Sequence, residues 1–255
     1  MGKIISIVNQ KGGVGKTTTA INLGSYLAHL GKQILLVDVD PQANATSGLG
    51  IDVNNLEEGI YEAIVGTKNI FDIIKKTKQK NYELAPANPS LAGAGVELVG
   101  LSEREWRLSN ILEEVRNNYD YIIIDGPPSL GLLTVNNLVA ADEILIPIQS
   151  EYYSLEGLGQ LLETIDLVRD NLKPDLGIKG AVVTMYDKRN RLSALVMKEL
   201  EDHFPHHIFK TIIPRNVRLA ESPSFGKSIL NYDKKSKGAQ AYHSLAKEII
   251  ELDNN

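Results

Sequence analysis

A chain of 255 residues with 43% hydrophobic and 23% charged side chains is long enough for one large α/β core or two small domains. It contains no cysteine, which excludes disulfides, thiolate zinc sites, iron–sulfur clusters and cysteine nucleophiles together. A net charge of −5 excludes a uniformly basic coat, yet residues 188–237 hold 11 Lys/Arg against 5 Asp/Glu while the rest of the chain stands at −11.

Met1-Gly2-Lys3 runs at once into Ile4–Val8, an apolar run too short for a signal sequence or a bilayer span, so a cytoplasmic location is expected. That run reads as a buried strand, and it leads through Asn9 and Gln10 into Lys11-Gly12-Gly13-Val14-Gly15-Lys16-Thr17-Thr18 and a helix to Leu30, closed by Gly31. Glycine at 12, 13 and 15 lets backbone N–H groups turn inward around a phosphate, where a Cβ would obstruct them. Lys16 then supplies a point charge to the β- and γ-phosphates, Thr17 offers a hydroxyl to Mg²⁺, and the helix N-terminus adds partial positive charge. The segment Lys11 to Thr18 is therefore read as a P-loop for Mg-ATP. It departs from the usual pattern in having Gln10 where a glycine is expected and a second lysine, Lys11, beside it. Lys11 stands at the start of the loop and can reach a nucleotide held by a facing copy of the chain; an exposed lysine with no such role is the alternative.

Further along, Ile34–Val37 predicts a second strand, ending in Asp38-Val39-Asp40-Pro41, and one of these two aspartates is expected to orient or deprotonate an attacking water. Residues 41–100, with seven glycines scattered among short helical pieces and a weak strand at Tyr82–Ala85, read as surface elaboration on the same domain. A Ser102-x-x-Glu105 capping box predicts a helix over Arg104–Asn117. Tyr121–Ile124 is a buried strand ending in Asp125, the Walker B arrangement in which a carboxylate holds Mg²⁺, here through water. Ile144–Ile148 and Ile178–Val183 add two strands and Ile208–Ile213 a weaker one, with helices over Leu155–Asn171 and Leu192–His203 between them. The runs are continuous rather than alternating, as in strands covered on both faces, and the β-α-β-α order predicts a doubly wound, mostly parallel twisted sheet flanked by helices in one domain spanning 1–255. The His203–His207 cluster has no acid at ligand spacing beyond Asp202 and is not read as a metal site. A final helix, Ala239–Leu252, is expected to pack Leu245, Ile249 and Leu252 on the sheet, and its mixed polar side ending in acid speaks against a membrane-surface anchor.

Taken together, Lys11 to Thr19, Asp38-Val39-Asp40-Pro41-Gln42 and Ile124-Asp125-Gly126-Pro127-Pro128 resemble the deviant Walker ATPases, and within them the ParA family, specifically the Soj-type partitioning ATPases. Gln149 to Gly157 and Ile213-Pro214-Arg215-Asn216-Val217-Arg218-Leu219 extend the likeness over essentially the whole chain. The resemblance implies that Lys11 crosses a nucleotide-sandwich homodimer to the partner's phosphates, that Gly12 lies at that contact, that Asp40 is needed for hydrolysis and that Pro214 and Asn216 hold the adenine. It also implies non-specific binding of double-stranded DNA by the ATP dimer through Arg189 and Arg218, with Lys227 and Lys247 as further candidates, in the basic stretch 188–237 or beside it. A ParB-type centromere-binding protein would stimulate hydrolysis, and the protein would associate with the nucleoid. The family commonly has cysteine at Gly126 and Ser150, and this chain departs there. A membrane-recruited ATPase of the MinD kind, an iron–sulfur reductase component and a non-hydrolysing nucleotide scaffold are the competing readings; the acidic end, the missing cysteines and Asp40 argue against them in turn.

Overall fold

The computed structural model describes residues 1–129, 131–151 and 153–254, without the side chains of 153–156. In chain order its elements are β1 (Lys3–Ile7), α1 (Lys16–His29), β2 (Ile34–Asp38), α2 (Asn44–Gly48), α3 (Ile60–Val65), α4 (Ile70–Ile73), β3 (Lys75–Lys76), β4 (Tyr82–Ala85), α5 (Leu91–Glu97) and α6 (Arg107–Val115). They continue with β5 (Tyr121–Asp125), α7 (Leu132–Ala140), β6 (Glu143–Gln149), α8 (Tyr153–Asn171), β7 (Gly177–Thr184), α9 (Arg191–His203), α10 (Val217–Glu221), α11 (Ile229–Asp233) and α12 (Lys237–Asp253). The strands form one sheet in the order β3-β4-β2-β5-β1-β6-β7, parallel except for β3.

The continuous apolar runs have the predicted cause. Along β1, Ile5 and Ile7 point to one core and Ile4 to another, and β2 divides Ile34 and Leu36 from Leu35 and Val37 in the same way. Helices α1 and α12 cover the first face, with Tyr242, Leu245, Ala246 and Ile249 buried against Leu23, Tyr26 and Leu27. Two clusters carried by α3–α7 and by α7–α9 cover the second face. The chain leaves β1 for β2 on one side and, after β5, for β6 on the other. The loops that follow these strands diverge at their C-terminal ends and open the crevice in which doubly wound sheets hold ligands.

Four local expectations change. Residues 41–100 are not surface elaboration: Ile60, Ile64, Ile70, Ile73, Leu91 and Leu98 are fully buried on the second face. The capping box at Ser102 does not form, because Glu103 takes a left-handed φ of 51° and Glu105 accepts from Arg104 Nε at 2.8 Å. Instead Asn136 of α7 supplies the cap: its Oδ1 accepts from Leu108 N at 3.1 Å and its Nδ2 donates to Arg104 O at 2.8 Å. Residues 208–213 meet β7 as an isolated bridge between Ile208 and Ala181 and through the Phe209 and Ile213 amides rather than as a strand, since the Glu248 carboxylate takes the amides of Lys210 and Thr211 at 2.7 and 3.0 Å. Leu252 is 41% exposed, and the last turn of α12 is held by Asp253 rather than by its leucine. That carboxylate meets Lys3 and Lys179 ammoniums at 2.6 Å each and accepts from Tyr121 Oη at 2.8 Å. Burial pushes Asp253 up, but these three donors outweigh it and leave the group below the usual carboxylate range.

Candidate functional site

Asn9 fixes the entry to the glycine loop. It is buried, its Nδ2 donates to Pro147 O at 2.8 Å and its Oδ1 accepts from Lys11 N at 2.9 Å. The far side of the loop is tied down by Thr184 Oγ1, which donates to Val14 O at 2.7 Å from the end of β7. Gly13 and Gly15 take left-handed φ of 76° and 91°, and α1 starts at Lys16 without any side-chain cap, so its first-turn N–H groups face the crevice. A Cβ built at Gly12 or Gly13 would meet nothing within 4 Å. The protein's own packing leaves these positions open, and the free space over them is where a phosphate would sit.

Lys16 is 7% exposed and its Nζ donates across the loop to Lys11 O at 3.1 Å. Burial holds its ammonium below the ordinary lysine value, with Asp125 and Asp40 opposing that shift. Lys11 behaves differently. Its side chain is absent from the pocket wall and reaches Glu151 Oε2 at 3.7 Å on the rim, where Glu151 also meets Arg215 at 3.6 Å and accepts from Gln149 at 2.7 Å.

The three acids take separate tasks. Asp38 and Asp125 end neighbouring parallel strands in direct register, and both are fully buried. Asp38 accepts from Thr46 N at 2.8 Å, Thr46 Oγ1 at 2.7 Å and Asp40 N at 3.2 Å, yet burial still pushes it up to about 6. It is consumed in holding the loop that follows β2. Neither oxygen of Asp125 has a well-formed hydrogen bond among the described residues. Burial first, and the Asp38 charge second, push its carboxyl well above the ordinary range against the pull of the Thr17 hydroxyl. A buried pair of acceptor oxygens without a well-formed hydrogen bond among the described residues, next to a threonine hydroxyl at the start of a phosphate loop, fits a hydrated divalent cation. Asp40 is 6% exposed, is turned into the crevice by Gln42 N donating to its Oδ1 at 2.9 Å, and lines a pocket of about 490 Å³.

That pocket brings together Gly12, Gly13, Gly15, Lys16, Thr17, Thr18 and Asp40. Asn22, Asn44, Ser47, Met185 and Pro223 line it as well, and no motif spacing marked them. Met185 and Ala43, next to Asn44, take left-handed φ of 52° and 50°, backbone strain of the kind that collects at sites. Pro214 and Asn216 are not in the wall: Pro214 bridges to Tyr186, one residue from Met185, and Asn216 caps α10 by accepting from Arg218 N at 2.9 Å. Arg189, Arg218, Lys227 and Lys247 are all exposed and none of them lines the pocket. Tyr152 lies outside the described residues. At Gly126 a Cβ would run into the Asn137 side chain, so a cysteine there would need that amide to move.

The sequence is 55% identical over 249 residues, 98% of each chain, to the sporulation initiation inhibitor protein Soj of Bacillus subtilis (strain 168). It is 52% identical to the chromosome partitioning protein ParA of Myxococcus xanthus (strain DK1622), over 99% of this chain and 89% of that one. The chain belongs to the ParA/Soj family of chromosome-partitioning ATPases. A family model described as an AAA domain matches residues 2–178, the part of this ParA/Soj chain that carries the phosphate loop and both strand-end acids. Among solved structures, cobyrinic acid a,c-diamide synthase from Mycobacterium smegmatis with bound ATP analog and magnesium superposes with a TM-score of 0.89 at 35% identity, covering 100% of this chain and 97% of that one. No helix among the described residues is long and apolar enough to cross a membrane.

Proposed function

We propose that this chain hydrolyses ATP with Mg²⁺, that its ATP-bound form is a face-to-face homodimer on DNA, and that with a ParB-type partner it partitions a chromosome or plasmid on the nucleoid. The observation that carries the reading is the division of labour between two lysines on one glycine nest: Lys16 turns into the loop, while Lys11 turns out of it to the rim. Lys16 and the uncapped first turn of α1 hold the phosphates. Thr17 Oγ1, and Asp125 through water, would hold Mg²⁺, which would supply positive charge against the charge that builds up on the phosphates. Asp40 orients the attacking water and takes its proton, and Lys11 exchanges Glu151 for a phosphate bound in the second protomer. Pro214 and Asn216, beside the Met185 wall, contact the adenine once the pocket is filled.

Asp125→Asn tests the metal assignment. The Asp125 carboxyl is raised in the folded protein, so its contribution to stability is present at acid pH and lost as pH rises through the ordinary carboxylate range and above. The asparagine variant without nucleotide is expected to melt higher at pH 7.5 by about 2–4 °C for each kcal/mol of relieved charge burial. It should also lose the Mg²⁺-dependent part of the stabilisation by ATP. Unchanged Mg²⁺ dependence in thermal melts would remove Asp125 from the metal site.

For DNA, Arg189 and Arg218 are the first candidates. Arg189 pairs with Asp187 at 2.7 Å, and Arg218 with Glu221 at 2.9 Å. Pairs this exposed are weak, and a phosphate can replace the carboxylate in each. Lys227 and Lys247 add further charge. A dimer doubles the contacts and steepens the salt dependence, so loss of the γ-phosphate releases the protein. Co-sedimentation with DNA is expected with ATP and not with ADP; equal retention in both would reject the switch. Replacing Arg189 and Arg218 together with alanine should cost about tenfold or more in DNA affinity and leave ATP binding intact.

A further inference from the structure

Outside the basic stretch lies a denser one. Lys75-Lys76-Thr77-Lys78-Gln79-Lys80 places four lysines in six residues with no acid. The segment forms β3 and the turn into β4 at the edge of the sheet, and all four lysines are exposed. The turn has a fixed shape. Thr77 Oγ1 donates to Tyr82 O at 2.6 Å and accepts from Gln79 N at 3.1 Å.

Gln79 docks this hairpin on α1 and on α11. Its Nε2 donates to Ser25 O and its Oε1 accepts from Ser25 Oγ, both at 2.6 Å, and the same Oε1 accepts from Asn231 Nδ2 at 3.2 Å. Ser25 Oγ also lies 2.8 Å from Ser228 Oγ. The hairpin thus abuts the segment carrying Lys227, Lys234, Lys235 and Lys237, all exposed. Arg218 reaches the same segment, with its Nε 3.6 Å from Asp233 Oδ2. Two basic runs distant in sequence become one surface, and none of these eight lysines has an ion-pair partner among the described residues. Of the acids on this surface, Asp233 and Glu221 are engaged with Arg218 and Glu83 accepts from Tyr119 Oη at 2.6 Å, while the exposed Asp72 stands three residues before the hairpin.

We propose that the Lys75–Lys80 hairpin is a second phosphate-binding arm for double-stranded nucleic acid, continuous with the lysines of 227–237. The proposal rests on the DNA-binding reading above and extends it to the opposite end of the sheet from β7. Lysines are point charges without the planar fork that reads base edges, which suits contact with phosphates irrespective of sequence. The groove beside the hairpin, about 610 Å³, is lined by Gln33, Asn81 and Asn118, whose amides can donate to phosphate oxygens, and by Glu83, whose carboxylate is taken by Tyr119 Oη. A membrane surface is the weaker match. Lys-Lys-Thr-Lys-Gln-Lys offers no apolar side chain to insert, and Phe71, 53% exposed, is a single ring in that groove.

The test is the full chain with Lys75, Lys76, Lys78 and Lys80 all replaced by glutamine, titrated with a fluorescent duplex of mixed sequence in ATP over a series of salt concentrations. Affinity at physiological salt is expected to fall about tenfold or more, and the slope of log K against log salt to become shallower by about 2 or more. The same four positions changed to arginine should keep the wild-type slope, and the mass in ATP by light scattering reports whether each variant is folded. A glutamine variant with wild-type slope and affinity overturns the hairpin assignment and leaves the DNA reading standing. A wild-type protein that binds no duplex overturns both. A glutamine variant that keeps duplex binding but no longer sediments with phosphatidylglycerol vesicles makes the hairpin a membrane contact and also overturns the proposal.

Discussion

Asp40→Ala is expected to slow ATP turnover at least about a hundredfold, the usual contribution of a positioned base, while ATP binding and ATP-dependent self-association persist. The geometry separates Asp40 from its neighbour. Asp38 has all three of its bonds inside the protein, with Thr46 and the Asp40 amide, whereas Asp40 keeps one oxygen on the Gln42 amide and sits in the pocket wall beside Lys16 and Thr17. Alanine at 40 leaves a single amide near the surface without its acceptor. Alanine at 38 strands the Thr46 amide and hydroxyl in a fully buried site, each orphaned group costing about 1–3 kcal/mol, so the Asp38 variant should lose stability first. Phosphate release and thermal melts on the two variants distinguish these outcomes. An Asp40 variant with normal turnover, or an Asp38 variant with normal stability and no turnover, would reverse the assignment.

Lys11→Ala is expected to weaken ATP-dependent self-association by about a thousandfold or more. Truncating one partner of a buried charge pair costs about 2–5 kcal/mol. A two-fold dimer makes the contact twice, so even the low end of that range gives about 4 kcal/mol, or about three decades in the dissociation constant. In the single protomer the Lys11 side chain makes a long ion pair with Glu151, 3.7 Å between half-exposed groups, and losing a pair of that kind should barely change stability. Sedimentation velocity over a concentration series in ATP measures the effect. Monomer affinity for nucleotide should stay within a few-fold of wild type, because Lys16, not Lys11, lines the pocket.

The sheet was legible because parallel strands covered on both faces are written as uninterrupted Ile and Val, and each of the five strong runs falls on a strand within two residues. The phosphate loop was legible for a local reason: glycine, lysine and threonine act there through backbone shape and sequence neighbours. The features that no local pattern marks depend on long-range partners. Asn136 caps α6 from another helix, Thr46 occupies Asp38 from eight residues away, and Gln79 docks the lysine hairpin on α1 and α11. No spacing rule reaches across those separations. The short helical pieces of 41–100 are legible but their burial is not, because the glycines break the helical period that would mark an apolar face, although Ile60, Ile64, Ile70 and Ile73 are fully buried.

The most direct test of the account is the molar mass of the Asp40→Ala protein by light scattering, without nucleotide, with Mg-ADP and with Mg-ATP, alongside the same protein carrying Lys11→Ala. A dimer is expected only with Mg-ATP and only while Lys11 is present. A dimer that forms in ADP, or one that survives the loss of Lys11, would contradict it.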